Sequence, residues 1–147
     1  MYQRGINDET IRMFGIGLSS VNSNSLANVL LESKFLELDI TDLGLVKSGS
    51  SGYYDMFTRR IMFPIYDEYS NVVGFSGRIY LDSDLSDKNQ PKYINSIESV
   101  IFKKSVVLFN LNNAISDIRK TKRVGLYEGF MDVIASVRSG IRESVCS

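Results

Sequence analysis

The fold at the end of this chain is decided by residues 124–147, VGLYEGFMDVIASVRSGIRESVCS. Residues 124–127 are an apolar stretch of strand length, and residues 130–139 repeat apolar side chains at helical spacing up to Gly140. Residues 144–146 are predicted to begin a second strand. Strand, turn, helix and strand in this order predict a βαβ unit.

The turn inside this unit carries two carboxylates. Glu128 and Gly129 follow the first strand directly, and Asp132 comes four residues after Glu128. Ligands of open α/β sheets bind beyond the carboxyl ends of the strands, and carboxylates without histidine suit Mg²⁺. The alternative is that Glu128 only favours the positive end of a helix dipole, as acids do at any helix start.

Residue types that are missing exclude several classes of chemistry. The chain has no histidine and a single cysteine, Cys146. Ser–His and Cys–His nucleophilic machinery, intrachain disulfides and histidine- or multi-cysteine-ligated zinc are therefore excluded within this chain. Carboxylates with a hard cation, and Lys or Arg as anion ligands, remain. Cys146 is expected to be a buried structural residue.

Residues before the βαβ unit predict mixed helix and β structure. Asn7 is a good N-cap for a helix over residues 8–14. Arg60–Tyr66 and Val72–Leu81 predict a hairpin around a turn at residues 67–71, with Pro64 at an edge or bulge. Further predictions are helices at 25–34, 36–43 and 111–122, a flexible loop at 48–52 and an exposed loop at 82–91.

Basic side chains cluster locally, although 17 Lys and Arg balance 17 Asp and Glu. Positive charge follows the second hairpin strand, and aromatic side chains between these residues are candidates for base stacking. The alternative is a solvated face with core aromatics. The basic candidates are Arg59, Arg60, Arg78, Lys92, Lys103 and Lys104, with Asn95 beside them and Tyr80, Tyr93 and Phe102 for stacking.

Composition predicts an ordinary globular protein. The chain has 147 residues, of which 44% are hydrophobic and 23% charged. We expect one domain, or parts of two small ones. No apolar run has the length of a membrane span, and the first residues lack a signal-peptide pattern, so a cytoplasmic location without membrane partners is expected.

The order of the motifs resembles the RNA-polymerase core of bacterial DnaG-type DNA primases. The resemblance runs along the whole chain and depends on the ordered series. Its pieces are Arg4-Gly5-Ile6, Glu9-Thr10-Ile11, Phe14-Gly15-Ile16-Gly17, residues 60–65, residues 73–78, residues 91–96 with Glu98, residues 102–104, residues 108–111 with Ala114, and residues 128–135.

This resemblance implies an α+β fold, with a basic N-terminal subdomain at residues 1–120 and the incomplete first βαβ unit of a Toprim fold at 121–147. It implies synthesis of short RNA primers on single-stranded DNA from ribonucleoside triphosphates, with Mg²⁺ or Mn²⁺. Glu128 and Asp132 match acids of the catalytic metal site. Residues matching nucleotide or template contacts of the family are Arg4, Arg78, Lys92 and Asn95. Tyr93, Lys103 and Lys104 are predicted as further contacts from their stacking ability and positive charge.

Some departures from the family pattern set limits to these expectations. Ser76 replaces a glycine before Gly77-Arg78, and Phe130 replaces the usual tyrosine. The family's zinc-binding domain, later Toprim acids and helicase-interacting domain are not in this chain. We therefore expect no primer synthesis by these residues alone, and no zinc. RNA/DNA hybrid and, through the domain outside this chain, a replicative helicase are the family's other partners.

Three alternatives stay open at this stage. The first is a non-catalytic single-stranded-DNA-binding fragment of a split or truncated primase. The second is another Toprim enzyme, such as a topoisomerase or the N-terminal part of a phage primase–helicase, although the upstream basic motifs argue against a topoisomerase. The third is an unrelated α+β domain.

Overall fold

A computed structural model describes residues 6–80 and 90–147 of the chain, which fold as mixed helix and sheet. Within these residues no helix is long and apolar enough to cross a membrane. The helices are α1 Asp8–Phe14, α2 Ser25–Glu32, α3 Glu37–Asp42, α4 Leu111–Thr121 and α5 Phe130–Arg138. The strands are β1 Gly17–Leu18, β2 Val46–Gly49, β3 Gly52–Asp55, β4 Arg60–Tyr66, β5 Val72–Ile79, β6 Tyr93–Asn95, β7 Gly125–Tyr127 and β8 Ser144–Cys146.

The residues group into two compact units. Unit 1 comprises residues 1–16, 64–74 and 103–147, and unit 2 comprises residues 17–63 and 75–102. Strands β4 and β5 therefore contribute residues to both units. The division predicted at residue 120, and the assignment of residues 121–147 to a Toprim fold, stay predictions.

The predicted hairpin of β4 and β5 is confirmed. These strands are neighbours in a four-stranded sheet of order β1-β4-β5-β6. Asp67 closes the turn, since its carboxylate accepts hydrogen bonds from the backbone N–H of Tyr69 (2.9 Å) and Asn71 (2.8 Å). β1 pairs with β4 at Ile61 and Met62, so Pro64 lies beyond the residues of β4 that pair with β1, which suits a residue without an N–H donor.

Unit 2 contains a second hairpin, which the sequence did not predict. β2 and β3 pair antiparallel around a two-residue turn at Ser50-Ser51, so part of the predicted flexible loop 48–52 is strand. Gly52 adopts φ +112°, a conformation that other residues rarely take. The glycine and serine content of residues 48–52 indicated a loop. This composition is typical of the turn, and it does not reveal the two short strands on either side of that turn.

Helix α2 packs on this hairpin through a different face than predicted. Helical spacing predicts a buried stripe of Leu26, Val29, Leu30 and Phe35, but Leu26, Val29 and Phe35 are exposed. Ala27 is fully buried in a cluster with Ile40 and Val46, and Leu30 and Leu31 pack against that cluster. The helical period is therefore right, but only Leu30 of the predicted stripe lies on the buried face.

The buried Asp55 holds the start of α2 against β3. Its carboxylate accepts hydrogen bonds from the backbone N–H groups of Leu26 (2.9 Å) and Ala27 (2.8 Å). The first N–H groups of a helix have no partner inside the helix, and they favour negative charge. A strand residue 28 and 29 positions later thus caps this helix.

Unit 1 confirms the predicted βαβ unit. β7 and β8 pair in parallel, with Leu126 opposite Val145, and α5 connects them. Phe109 pairs with Cys146 on the other side of β8. The rings of Phe14 and Phe109 stack at 5.8 Å, and the Phe109 and Phe130 rings lie 4.4 Å apart. α1 begins as predicted, because the Asn7 side chain accepts the Thr10 N–H at 3.0 Å.

Candidate nucleic-acid interface and metal site

Three of the predicted contact residues lie on one face of two paired strands. In the β5–β6 ladder, residues 76–78 of β5 pair antiparallel with residues 93–95 of β6, which sequence analysis did not recognise as a strand. Arg78 lies opposite Tyr93, and Ser76 lies opposite Asn95. Because side chains alternate along a strand, these four point to the same face. Ser76 is buried, so Arg78, Tyr93 and Asn95 form the accessible part of this face.

Arg78 and Tyr93 are in direct contact. The flanking backbone hydrogen bonds, from Ile79 N–H to the Lys92 carbonyl (3.1 Å) and from Ser96 N–H to the Phe75 carbonyl (2.8 Å), make this a non-hydrogen-bonded pair, in which side chains approach most closely. The Arg78 guanidinium carbon lies 5.4 Å from the Tyr93 ring centre, within cation–π range. Tyr93 remains 39% exposed, so the pair presents a guanidinium group and an accessible aromatic ring side by side.

The other predicted contact residues are distributed as follows. Lys92 is exposed and directly precedes β6, in the same unit as Arg78, Tyr93 and Asn95. Lys103 and Lys104 are exposed residues of unit 1. Arg4 lies outside the described residues.

Phe102 and the Arg59-Arg60 pair differ from the prediction. Phe102 is buried and is therefore a core residue, without an accessible face for a base. Arg60 is only 5% exposed and donates hydrogen bonds to backbone carbonyls, so it adds no charged group to the surface. Arg59 is half-buried at φ +54°. Sequence analysis alone does not distinguish a buried arginine from an exposed one.

The two candidate metal ligands lie at the carboxyl end of β7. Glu128 is exposed and follows the strand, and α5 begins at Phe130 with Gly129 as its N-cap. Glu128 therefore lies outside the helix, so its separation of four residues from Asp132 is not one turn of α5. Asp132 folds back toward the helix start, since its Oδ2 lies 3.4 Å from the position a Cβ on Gly129 would take.

Donor chemistry at this position suits part of a magnesium site. Mg²⁺ is usually held by one or two carboxylates, with waters and substrate phosphates completing its coordination. Glu128 and Asp132 are two exposed carboxylates, the number that a protein usually contributes to such a site. Among residues 6–80 and 90–147 no group of three or more His, Cys, Asp or Glu side chains is placed to hold a metal ion.

Cys146 is the last residue of β8 and is buried, as predicted. It pairs with Tyr127 at the end of the parallel ladder. Burial raises the pKa of the Cys146 thiol to about 11, and the negative charge of Asp132 adds to this effect.

The raised pKa predicts slow alkylation of Cys146 in the folded chain. At pH 8 the folded thiol should carry about 100-fold less thiolate than an unfolded one, and iodoacetamide reacts with thiolate. Because the proton is held more tightly in the folded state, its stabilising effect is complete below about pH 9 and is lost as pH rises through about 11. Mass spectrometry of the alkylated chain, with a urea-unfolded sample as control, measures this rate; equal rates in both samples would contradict the assignment.

Sequence analysis missed the residues that support the end of the βαβ unit. Asn110, buried at φ +69°, donates from its side-chain amide to the Ser144 carbonyl at 2.9 Å. Hydroxyls of Tyr127, Ser136 and Ser144 form a chain, with O–O distances of 2.7 and 2.8 Å. These contacts tie β7, α5 and β8 together next to Glu128. Asparagine is the residue most tolerant of positive φ after glycine, which is the only signal the sequence gives.

Comparisons of sequence with known proteins agree on one family. The family described as "DNA primase catalytic core, N-terminal domain" matches residues 1–115. A DNA primase of Lactococcus lactis subsp. lactis (strain IL1403) is 43% identical over 145 residues, which cover 99% of this chain and 22% of that protein. The chain thus spans about a quarter of the length of the curated relatives it matches.

Comparisons of structure lead to the same family. The RNA polymerase domain of Mycobacterium tuberculosis primase DnaG, in complex with a double-stranded DNA oligomer with a 6-nucleotide overhang, is 32% identical with a TM-score of 0.92. The match covers 99% of this chain and 44% of that one. A DnaG primase catalytic domain bound to ssDNA is 34% identical with a TM-score of 0.83, over 99% of this chain and 46% of that one. The chain therefore belongs to the bacterial DnaG-type DNA primases, as an N-terminal part of their catalytic core.

Proposed function

We propose that the accessible face of the β5–β6 ladder binds the single-stranded DNA template in a primase that makes short RNA primers from ribonucleoside triphosphates. The observation that carries the proposal is the contact of Arg78 with Tyr93, with Asn95 on the same face. Single-strand binding sites combine cations that follow the phosphate backbone with aromatic rings on which bases stack. This ladder provides both in adjacent positions.

Each side chain has a distinct part in this binding. The Arg78 guanidinium offers a planar fork of donors to phosphate oxygens, and Lys92 contributes a compact positive charge. The Tyr93 ring accepts a base, and Arg78 limits the rotation of that ring before the strand arrives. The Asn95 amide both donates and accepts, so it suits a base edge or a ribose hydroxyl. Arg4, Lys103 and Lys104 are proposed as further contacts.

Glu128 and Asp132 are proposed to hold part of the catalytic Mg²⁺ or Mn²⁺ site. When bound, the metal would supply positive charge that neutralises the triphosphate during nucleotidyl transfer. Glu128 after the end of β7 and Asp132 in the first turn of α5 would fix the position of the metal. The resemblance to the family implies further acids in the complete metal site, and this chain spans about a quarter of the length of its curated relatives, so primer synthesis is proposed for a larger protein that includes these residues.

Fluorescence anisotropy of a labelled single-stranded oligonucleotide tests the binding face. Replacing Lys92 by alanine should weaken binding about 5-fold at 0.1 M salt and reduce the slope of log Kd against log salt by about 0.7, the change for one phosphate contact. Replacing Tyr93 by alanine should weaken binding about 10-fold with the slope unchanged, because stacking releases no counterion. Lys47, an exposed lysine on β2, provides the matched control.

The results that would contradict the proposal are specific. Wild-type chain without measurable salt-dependent binding, or a Lys47→Ala variant that weakens binding as much as Lys92→Ala, would remove the ladder as the site. The runner-up function, a non-catalytic single-stranded-DNA-binding module, predicts the same binding results. It differs in predicting that Glu128→Gln has no effect on any activity of the larger protein.

A further inference from the structure

Arg60 is a buried arginine that joins two segments of the proposed interface. It is the first residue of β4 and is 5% exposed. Its Nη1 donates to the backbone carbonyl of Gly77 at 3.2 Å and to that of Pro91 at 3.1 Å. Taking a guanidinium out of water has a high cost in free energy unless several hydrogen bonds compensate it. The hydrogen bonds to these two carbonyls compensate part of this cost.

The two carbonyls belong to the residues directly before the proposed phosphate contacts. Gly77 precedes Arg78 on β5, and Pro91 precedes Lys92 at the start of β6. Arg78 and Tyr93 are the last register pair of the β5–β6 ladder, and one further backbone hydrogen bond joins the Ile79 N–H to the Lys92 carbonyl, so Pro91 is the first residue beyond this pairing. The guanidinium therefore adds a second connection between β5 and the segment that carries Lys92, on the other side of Lys92 from β6.

Gly77 makes room for this arrangement. A Cβ at Gly77 would lie 2.9 Å from Cδ of Arg60 and 2.8 Å from the Phe57 ring. The aliphatic part of Arg60 therefore packs against β5 at a residue without a side chain. This contact is on the face opposite to Arg78, because adjacent strand residues point to opposite faces.

We infer that Arg60 is a positioning residue, which sets the spacing of Arg78 and Lys92 for a nucleic-acid backbone without touching the nucleic acid itself. The inference rests on the proposed function of the ladder. Arginine suits the task because its planar group holds its donors in fixed directions, whereas the three donors of a lysine ammonium rotate on a flexible side chain. Burial keeps the group away from phosphate, which separates its role from those of Arg78 and Lys92.

Salt titrations of Arg60→Met and Arg60→Lys test this role in the oligonucleotide assay. We expect about 10-fold weaker binding for Arg60→Met, with the slope of log Kd against log salt equal to that of wild type, since no phosphate contact is lost. Arg60→Lys should recover part of the affinity, because one donor to the carbonyls is kept. Asp55→Asn, which weakens a buried contact elsewhere in unit 2, is the control for general destabilisation.

Three outcomes would overturn the inference. The first is wild-type affinity for Arg60→Met, and the second is a salt slope of Arg60→Met reduced by about 0.7 as in Lys92→Ala, which would indicate direct phosphate contact. The third is a loss of affinity in Asp55→Asn equal to that in Arg60→Met. All variants are compared at a temperature where circular dichroism shows them folded; if Arg60→Met does not fold, Arg60→Lys decides, and its wild-type affinity would overturn the inference. Failure of the underlying function looks different, because then wild type itself does not bind.

Discussion

Replacing Glu128 by glutamine is expected to lower primer synthesis about 100- to 1,000-fold in a primase polymerase domain that includes this chain, while single-stranded DNA binding is retained. Removing one preorganised charge from a transfer site has effects of this size. Glutamine has the same length but no charge, and Glu128 is exposed, so the fold should not change. Synthesis of radiolabelled primers on a single-stranded template, at several Mn²⁺ concentrations, measures the effect.

Glu68→Gln is the matched control for this experiment. Glu68 is an exposed acid in the turn between β4 and β5, and its replacement should leave the rate within about 2-fold of wild type, as surface substitutions away from a site usually do. A Glu128→Gln variant with wild-type rate would remove Glu128 from the metal site. Loss of DNA binding in the same variant would indicate a structural role instead.

Replacing Gly77 by alanine is expected to reduce the free energy of unfolding by about 1–3 kcal/mol, the usual range for overpacking. The added Cβ would meet the Phe57 ring at 2.8 Å, Cδ of Arg60 at 2.9 Å and the Met62 sulfur at 3.3 Å. A rigid ring and a hydrogen-bonded arginine have little freedom to move away. Urea unfolding followed by circular dichroism measures the change.

Gly17→Ala gives the comparison for the same chemical change without the contacts. Gly17 is an exposed residue of β1, and a Cβ there would meet nothing within 4 Å. Alanine should leave stability unchanged or raise it slightly, because it restricts the unfolded chain. A Gly77→Ala variant as stable as Gly17→Ala would mean that β5 and Arg60 are not packed as described.

Longer elements with a regular pattern were predictable from the sequence. The Asn7 cap of α1, the hairpin of β4 and β5 and the βαβ unit at the chain end all follow from capping, alternation and turn residues. The motif order also identified the family. These features depend on local sequence, which acts over one helix turn or a few strand residues.

Short strands and long-range roles were not predictable in the same way. β1 has two residues and β6 has three, too few for alternation to show, and neither belongs to a strand–turn–helix–strand pattern such as the one that indicated the equally short β7 and β8. The side of α2 that is buried depends on the hairpin of β2 and β3, and that hairpin was hidden by its serines and glycines. The sequence pattern assigned Arg60 to the surface. Local pattern could not show its hydrogen-bond partners, because the carbonyls of Gly77 and Pro91 are 17 and 31 residues away in the chain.

The candidate site shows the same division. Sequence order proposed Arg78, Tyr93 and Asn95 together, and the register of the β5–β6 ladder places them on one face. Sequence could not supply the contact between the guanidinium and the ring, since it depends on which residues are directly opposite. The metal role of Glu128 and Asp132 stays a prediction.

A single tryptophan at position 93 gives the most direct test of the ladder as a nucleic-acid site. The chain has no tryptophan, so Tyr93→Trp introduces one fluorophore on the proposed stacking face. Titration with a single-stranded oligonucleotide should quench its emission, because a base stacks on the ring, and Lys92→Ala in the same background should shift the midpoint to higher concentration. Emission that stays constant while anisotropy reports a bound oligonucleotide would contradict the account, because the strand would then bind elsewhere.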